Sequence, residues 1–354
     1  MTTPFDPIDL AGLRLRNRLV MPAMGRARAF GPGGTATDSM ATYYAQRATA
    51  GLIVTEGSWP SPVGQGFPHT PGLHSAEQIA AWRRVTDAVH AKGGTVFAQL
   101  AHVGRIGDPE LLPEGMVHVA PSAVAAPGQL FTVHGMKDFT TPRALTSQEV
   151  RETIADFARA ARNAVEAGFD GVEVHAAYGY LVHQFLAPSS NLRTDEWGGS
   201  VEGRVRFAAE VVAAVSAAIG AHRTGIRISP GIRYNGIEEP ELEPTYAHLV
   251  RRLNETGPAY LHVVESSRDL SALLRKEFSG TFILNPATDG FTSAADLTLI
   301  EDGTADMLSF GALFLANPDL PARLRAGGPY NTPDTATYYG GTDEGFIDYP
   351  SLDA

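Results

Sequence analysis

The chain of 354 residues contains no cysteine. Disulfides, zinc–thiolate sites, iron–sulfur clusters and a thiol nucleophile are excluded. No apolar stretch reaches the roughly 18–20 residues that cross a bilayer. Positive charge is scarce: 28 Lys and Arg stand against 39 Asp and Glu, and the net charge is -11, with no basic run. Nucleic acid and anionic membrane need concentrated Lys and Arg, so neither is expected as a partner. The opening "MTTPFDPIDL" lacks the apolar core of a secretory leader, which points to a soluble cytoplasmic protein. No strand-like run leads into G-x-G-x-x-G, so an open dinucleotide-binding sheet has no support.

Apolar residues, at 44% of the chain, suffice for a full core. They gather in eight short runs: "RLVMPAM" (18–24), "GLIVTEG" (51–57), "TVFAQLA" (95–101), "GVEVHA" (171–176), "GIRISP" (225–230), "AYLHVVE" (259–265), "TFILN" (281–285) and "ADMLSFG" (305–311). Continuous runs of this kind suit parallel strands covered on both faces. Helical periodicity fills the intervals. "SAEQIAAWRRVTDAVHAKGG" (75–94) spaces Ile79, Trp82, Val85 and Val89 three or four apart. Thr146 with Glu149 forms a capping box before a helix that ends at Gly168. "SVEGRVRFAAEVVAAVSAAIG" (200–220) repeats the design. Eight strand–helix units predict a (β/α)8 TIM barrel formed by one domain over 1–354. Segment 106–145 reads as a loop insertion after strand three, with a small hairpin. Residues 326–354 read as a C-terminal tail packed on the barrel.

The C-terminal ends of barrel strands form the active face. Polar residues there include Glu56, Gln99, His102, His175, Tyr178, Tyr180, Arg227, His262 and Glu265. A Gln, an Arg and a His from three strands suit a flat polar ring. Gln supplies a donor and an acceptor, Arg a fixed positive charge, and His and Tyr can orient a carbonyl. His183 and Gln184, on the next helix, are expected to be structural. So are Trp82, Trp197 and the charges at Arg193, Asp195, Glu202, Arg204 and Arg206.

Several blocks resemble the old yellow enzymes, flavin-dependent ene-reductases. They are "NRLVMPAMGRARA" (17–29), "YYAQRATAGLIVTEG" (43–57), "FDGVEVHAAYGYLVHQFLAPSSNLRTDEWGGSVEGRVRF" (169–207), "GALFLANPDL" (311–320) and "DEGFIDYP" (343–350). The resemblance implies FMN, reduced by NAD(P)H, and hydride transfer to the β-carbon of an α,β-unsaturated carbonyl. By carry-over Gln99 binds the flavin pyrimidine edge and Arg227 sits near N1. Ala23, Met24, Gly25 and Gly57 line the ring. His175 and Tyr178 hold the substrate carbonyl, Tyr180 donates the proton, and Tyr339 lies near the substrate. A phenol with a pKa near 10 is protonated at neutral pH and can serve as an acid. No metal is implied. The expected partner is a small enone, and a homo-oligomer stays open.

The chain also departs from the family. The clamp His-x-x-Asn or His-x-x-His is His175-Ala176-Ala177-Tyr178. Gly25 replaces a Thr or Cys near the flavin, and Ala101 replaces a frequent Trp. Gly311-Ala312 replaces Gly-Arg at the phosphate, and Asp289-Gly290 replaces a Gly-Gly-type turn. Losing that charge-assisted contact costs ~2–3 kcal/mol, though backbone N–H groups of Asp289, Gly290, Gly311 and Ala312 can still meet a phosphate. A deazaflavin coenzyme, whose phosphodiester carries one charge fewer, is therefore an alternative to FMN. A metal-dependent hydrolase lacks its ligands after strand one. A catalytically retired, ligand-binding barrel is the remaining alternative.

Overall fold

The computed structural model describes residues 2–352. The eight expected strands are present: β1 (Leu19–Met21), β2 (Leu52–Ser58), β3 (Val96–Leu100), β4 (Gly171–Ala176), β5 (Thr224–Ile228), β6 (Tyr260–Val264), β7 (Thr281–Asn285) and β8 (Met307–Ser309). They pair in parallel, each with its sequence neighbours, and β8 closes on β1. Helices follow every strand, among them Ala76–His90, Ser147–Glu166 and Val201–Ile219. The architecture is a (β/α)8 barrel.

Two apolar layers explain the unbroken runs. Alternate residues of a strand point to opposite faces. Val172 and Val174, Ile226 and Ile228, and Leu261 and Val263 face outward into one cluster with the helices. Val20, Leu52, Val54, Phe97, Tyr260, Ile283 and Met307 fill the lumen instead. Leu10 and Leu15 join that inner cluster. They come from a short antiparallel hairpin, Ile8–Leu10 with Leu13–Leu15, which the sequence reading did not anticipate. Above this plug the lumen turns polar, because Gln99, Glu173, His262 and Ser309 occupy the next inward positions.

The helix ends are built as expected. Thr146 and Glu149 bond reciprocally, as do Ser75 and Gln78. Gly168 takes φ 91°, a left-handed conformation that ends the long helix. The insertion carries an antiparallel hairpin, Gln129–Thr132 with Gly135–Asp138. Arg105 anchors the insertion by donating to Val124 O, and it also donates to Asn235 O and Gly236 O after β5. The tail returns to the barrel, where Phe346 is fully buried.

Candidate active site

Four neighbouring strands assemble the site. In register, Glu173 lies beside Gln99, His175 beside Arg227, and Arg227 beside His262. Gln99, His175 and Arg227 are all buried. Gln99 Nε2 donates to Glu173 Oε1 at 2.8 Å. His262 Nδ1 lies 2.9 Å from Glu173 Oε2, and His262 Nε2 lies 3.0 Å from Ser309 Oγ. Burial alone would raise the Glu173 pKa, but His262, then Arg227 and Gln99, hold it below the ordinary carboxylate value. Burial lowers the His262 pKa against the pull of Glu173. A neutral His262 then donates from Nδ1 to Glu173 and accepts at Nε2 from Ser309.

His175 has its ring centroid 5.0 Å from Tyr180 and 6.3 Å from Tyr178. Its Nδ1 is buried without a partner. Burial, then the charge of Arg227, lowers its pKa to about 3, so the imidazole is neutral at physiological pH. Burial, then Tyr234 and Tyr339, holds the Tyr180 phenol above its ordinary pKa. Arg227 Nη1 donates to Ala23 O at 3.1 Å, while its Nε is buried and partnerless. Its Cζ lies 5.6 Å from the Tyr178 ring.

The first loop frames the rim. A Cβ on Gly311 would lie 3.6 Å from Met24 Sδ, and one on Gly25 would lie 3.9 Å from Tyr339 Cε1. A Cβ on Gly57 would meet Ala101 Cβ at 2.9 Å and Gln99 Oε1 at 3.4 Å, so backbone alone fits there. Tyr339 stands at the rim, 74% exposed. Gly311 and Ala312 open the short helix Gly311–Ala316. Asp289 and Gly290 lie on an exposed loop after β7. These four residues contribute no cation.

Other polar residues fall outside the site. His102 Nδ1 accepts from Gly104 N within its own loop. His262, within the lumen below the mouth, does not line the mouth itself but backs Gln99 through Glu173. Glu265 pairs with Arg268 at 2.7 Å. Glu56 accepts from the backbone N–H groups of Arg26 and Ala27. His183 lies 3.1 Å from Glu239, and Gln184 donates to Val103 O and Gly179 O. Arg193 pairs with Asp195, and Arg204 with Glu241.

Sequence reasoning missed Glu173, Ser309, Tyr234 and Asn235. Glu173 was legible as the polar residue two before His175, hence on the same strand face. Tyr234 packs edge-on against Tyr178 at 6.1 Å, but sits on a loop with no periodic signal.

Residues 4–331 match the model of the NADH:flavin oxidoreductase / NADH oxidase family. The chain is 40% identical to 12-oxophytodienoate reductase 1 of Oryza sativa subsp. japonica, with 98% of this chain and 92% of that protein covered. Among solved structures, morphinone reductase in complex with tetrahydroNAD superposes with a TM-score of 0.94 at 40% identity, covering 100% of this chain and 98% of the other. The old yellow enzyme homologue from Zymomonas mobilis gives a TM-score of 0.94 at 39% identity, covering 99% and 100%. Nothing in these likenesses supports the deazaflavin alternative. The chain is an oxidoreductase of the NADH:flavin oxidoreductase / NADH oxidase family, the old yellow enzymes.

Proposed function

We propose that this protein reduces the carbon–carbon double bond of α,β-unsaturated carbonyl compounds, with FMN as resident cofactor and NADH or NADPH as reductant. The carrying observation is the imidazole of His175 and the phenol of Tyr180, 5.0 Å apart beside Gln99 and Arg227. The reductases among its relatives, 12-oxophytodienoate reductase and morphinone reductase, support the same class of chemistry.

The residues fit the ring of a flavin. Arg227 Nε and His175 Nδ1 are buried polar atoms without protein partners. Gly57 leaves a wall of backbone where a side chain would collide. Gln99, tied to Glu173 through Nε2, keeps its Oε1 and second N–H for the pyrimidine edge. Ala23, Met24, Gly25 and Gly57 line the ring, and Arg227 offers a fixed positive charge. The phosphate end fits less well. Backbone N–H groups of Asp289, Gly290, Gly311 and Ala312 are its available donors, and the Asp289 carboxylate opposes an anion. When bound, the flavin supplies the hydride.

His175 donates one hydrogen bond to the substrate carbonyl and draws electron density from the β-carbon. Tyr178 adds a second donor. Tyr180 keeps its proton because burial disfavours the phenolate, and it gives that proton from Oη to the α-carbon. Tyr339 borders the substrate at the rim.

The purified protein is expected to show the absorption of bound FMN and to oxidise NAD(P)H in the presence of a cyclic enone. Tyr180→Phe should slow alkene reduction by ~10²-fold, the usual worth of a general acid, and barely change flavin reduction by NAD(P)H. Stopped-flow measurement of each half-reaction checks this. Equal losses in both would contradict the assignment, and no turnover with any donor would favour the retired barrel.

A further inference from the structure

Gln99 is an amide with two chemically different ends. Its Nε2 donates to Glu173 Oε1 at 2.8 Å. Its Oε1 meets no protein donor and lies on the side of Gly57, 3.4 Å from where a Cβ there would stand. Rotating the amide by half a turn would aim a carbonyl oxygen at a carboxylate and leave both groups without a donor. Glu173 is itself fixed from the far side. A chain of donors runs one way, from Ser309 Oγ to His262 Nε2 and from His262 Nδ1 to Glu173 Oε2. Glu173, His262 and Ser309 are completely buried, so no water competes for these bonds. Buried, fully satisfied networks of this kind impose a single arrangement on their members.

We propose that Glu173 is a positioning residue for the cofactor: backed by His262 and Ser309, it locks the amide of Gln99 with its oxygen toward the ring site. The inference rests on the functional reading above. Glu173 touches neither substrate nor cofactor. It acts through Gln99, and it decides which group meets an acceptor and which a donor. A glutamine at 173 offers both an N–H and a C=O, so it accepts either orientation of Gln99 and the lock is lost.

The test is FMN affinity, read by fluorescence titration of apoprotein, with the absorption spectrum of the bound flavin as a second readout. Glu173→Gln is expected to weaken FMN binding by ~10-fold, the scale of one charge-assisted hydrogen bond, and to shift the spectrum of what still binds. In a Gln99→Ala background the same change should have an effect under ~2-fold, because the group it positions is gone. Glu173→Asp keeps the charge and should recover part of the affinity. Should Glu173→Gln not fold, Ser309→Ala replaces it, with an expected loss of ~2–5-fold. Unchanged affinity in the folded variant, or independent effects of the two substitutions, would overturn the inference while leaving the enzyme assignment standing. A wild-type protein that binds no FMN would overturn both.

Discussion

Tyr178 and Asn235 both hold left-handed backbone, with φ 53° and 54°. Asn tolerates that region, whereas a bulky ring there is an outlier costing about 1–3 kcal/mol. The surroundings enforce it. Ser229 Oγ accepts from Tyr178 N at 2.9 Å, and Asn235 Nδ2 donates to Tyr178 O at 2.8 Å. Arg227 lies 5.6 Å from the ring, a cation–π contact worth about 0.5–2 kcal/mol. The ring is thereby set beside His175 before any ligand arrives. Asn235 carries two separable duties, its hydrogen bond and its own φ. Asn235→Gly should lose only the bond and destabilise by about 1 kcal/mol. Asn235→Ala should lose a further ~1 kcal/mol, since a Cβ disfavours positive φ. Urea unfolding of both variants checks this. Equal stabilities would show that the left-handed backbone at 235 carries no cost.

At the scale of elements, the C-terminal tail is clasped by guanidinium groups. Arg26 donates to Tyr338 O and Gly345 O, both at 2.9 Å, and Arg28 donates to Thr342 O at 2.9 Å. Arg47 donates to Phe314 O and Leu315 O in the helix before the tail, at 2.7 and 2.6 Å, and to Phe346 O within the tail at 3.5 Å. Phe346 stacks on Tyr43 at 4.2 Å, and Arg28 stands 4.4 Å over its ring. Phe346→Ala should cost about 3–5 kcal/mol, the range for a buried aromatic. It should also make the tail susceptible to limited proteolysis and raise the KM for the proposed enone substrate, since Tyr339, the proposed substrate neighbour, rides on that segment. A loss below 1 kcal/mol with an intact tail would mean that the arginine bonds alone hold it. The barrel strands and capped helices were legible because each repeats one pattern, two-face burial or a 3.6-residue stripe, over many residues. The hairpin Ile8–Leu10 with Leu13–Leu15 was not, since three residues carry too little periodicity. His175, Tyr180, Gln99 and Arg227 were legible as polar residues at strand ends. Glu173 and Ser309 hid inside runs read as uniformly apolar, where a one-in-two alternation was the missed signal.

At the scale of the molecule, buried titratable groups set the response to acid. Burial, then the charge of His118, lowers the His102 pKa to about 3, and burial with Arg227 lowers that of His175 to about 3. Both would protonate near 6.5 in the unfolded chain. Between those values the unfolded state binds more protons, so stability is full above pH 6.5 and falls as the pH drops. Glu56 works in the opposite direction. Burial raises its pKa to about 7 despite the N–H groups of Arg26 and Ala27, so the folded state keeps its proton where the unfolded state has lost it. Its contribution is present below the unfolded value and declines as pH rises toward 7. Two histidines against one glutamate leave the unfolded chain binding about one proton more between pH 6.5 and 4.5, a slope of about 1.4 kcal/mol per pH unit, to which His262, also lowered by burial, adds. Below 4.5 the Glu56 term is spent. Glu149, held at about 2 by Arg143 and the N–H of Thr146, and Asp195, held at about 2 by Arg193, then add to the histidines. Stability should therefore decline from pH 6.5 to 4.5 and more steeply below it. His175→Asn should remove one proton from this balance, so its acid slope should be smaller by about 1.4 kcal/mol per pH unit between 6 and 4. Urea unfolding of both proteins at half-unit intervals measures the difference. Parallel curves would mean that His175 takes up its proton in the folded barrel, and a neutral imidazole at the substrate carbonyl would then be lost below pH 6.5.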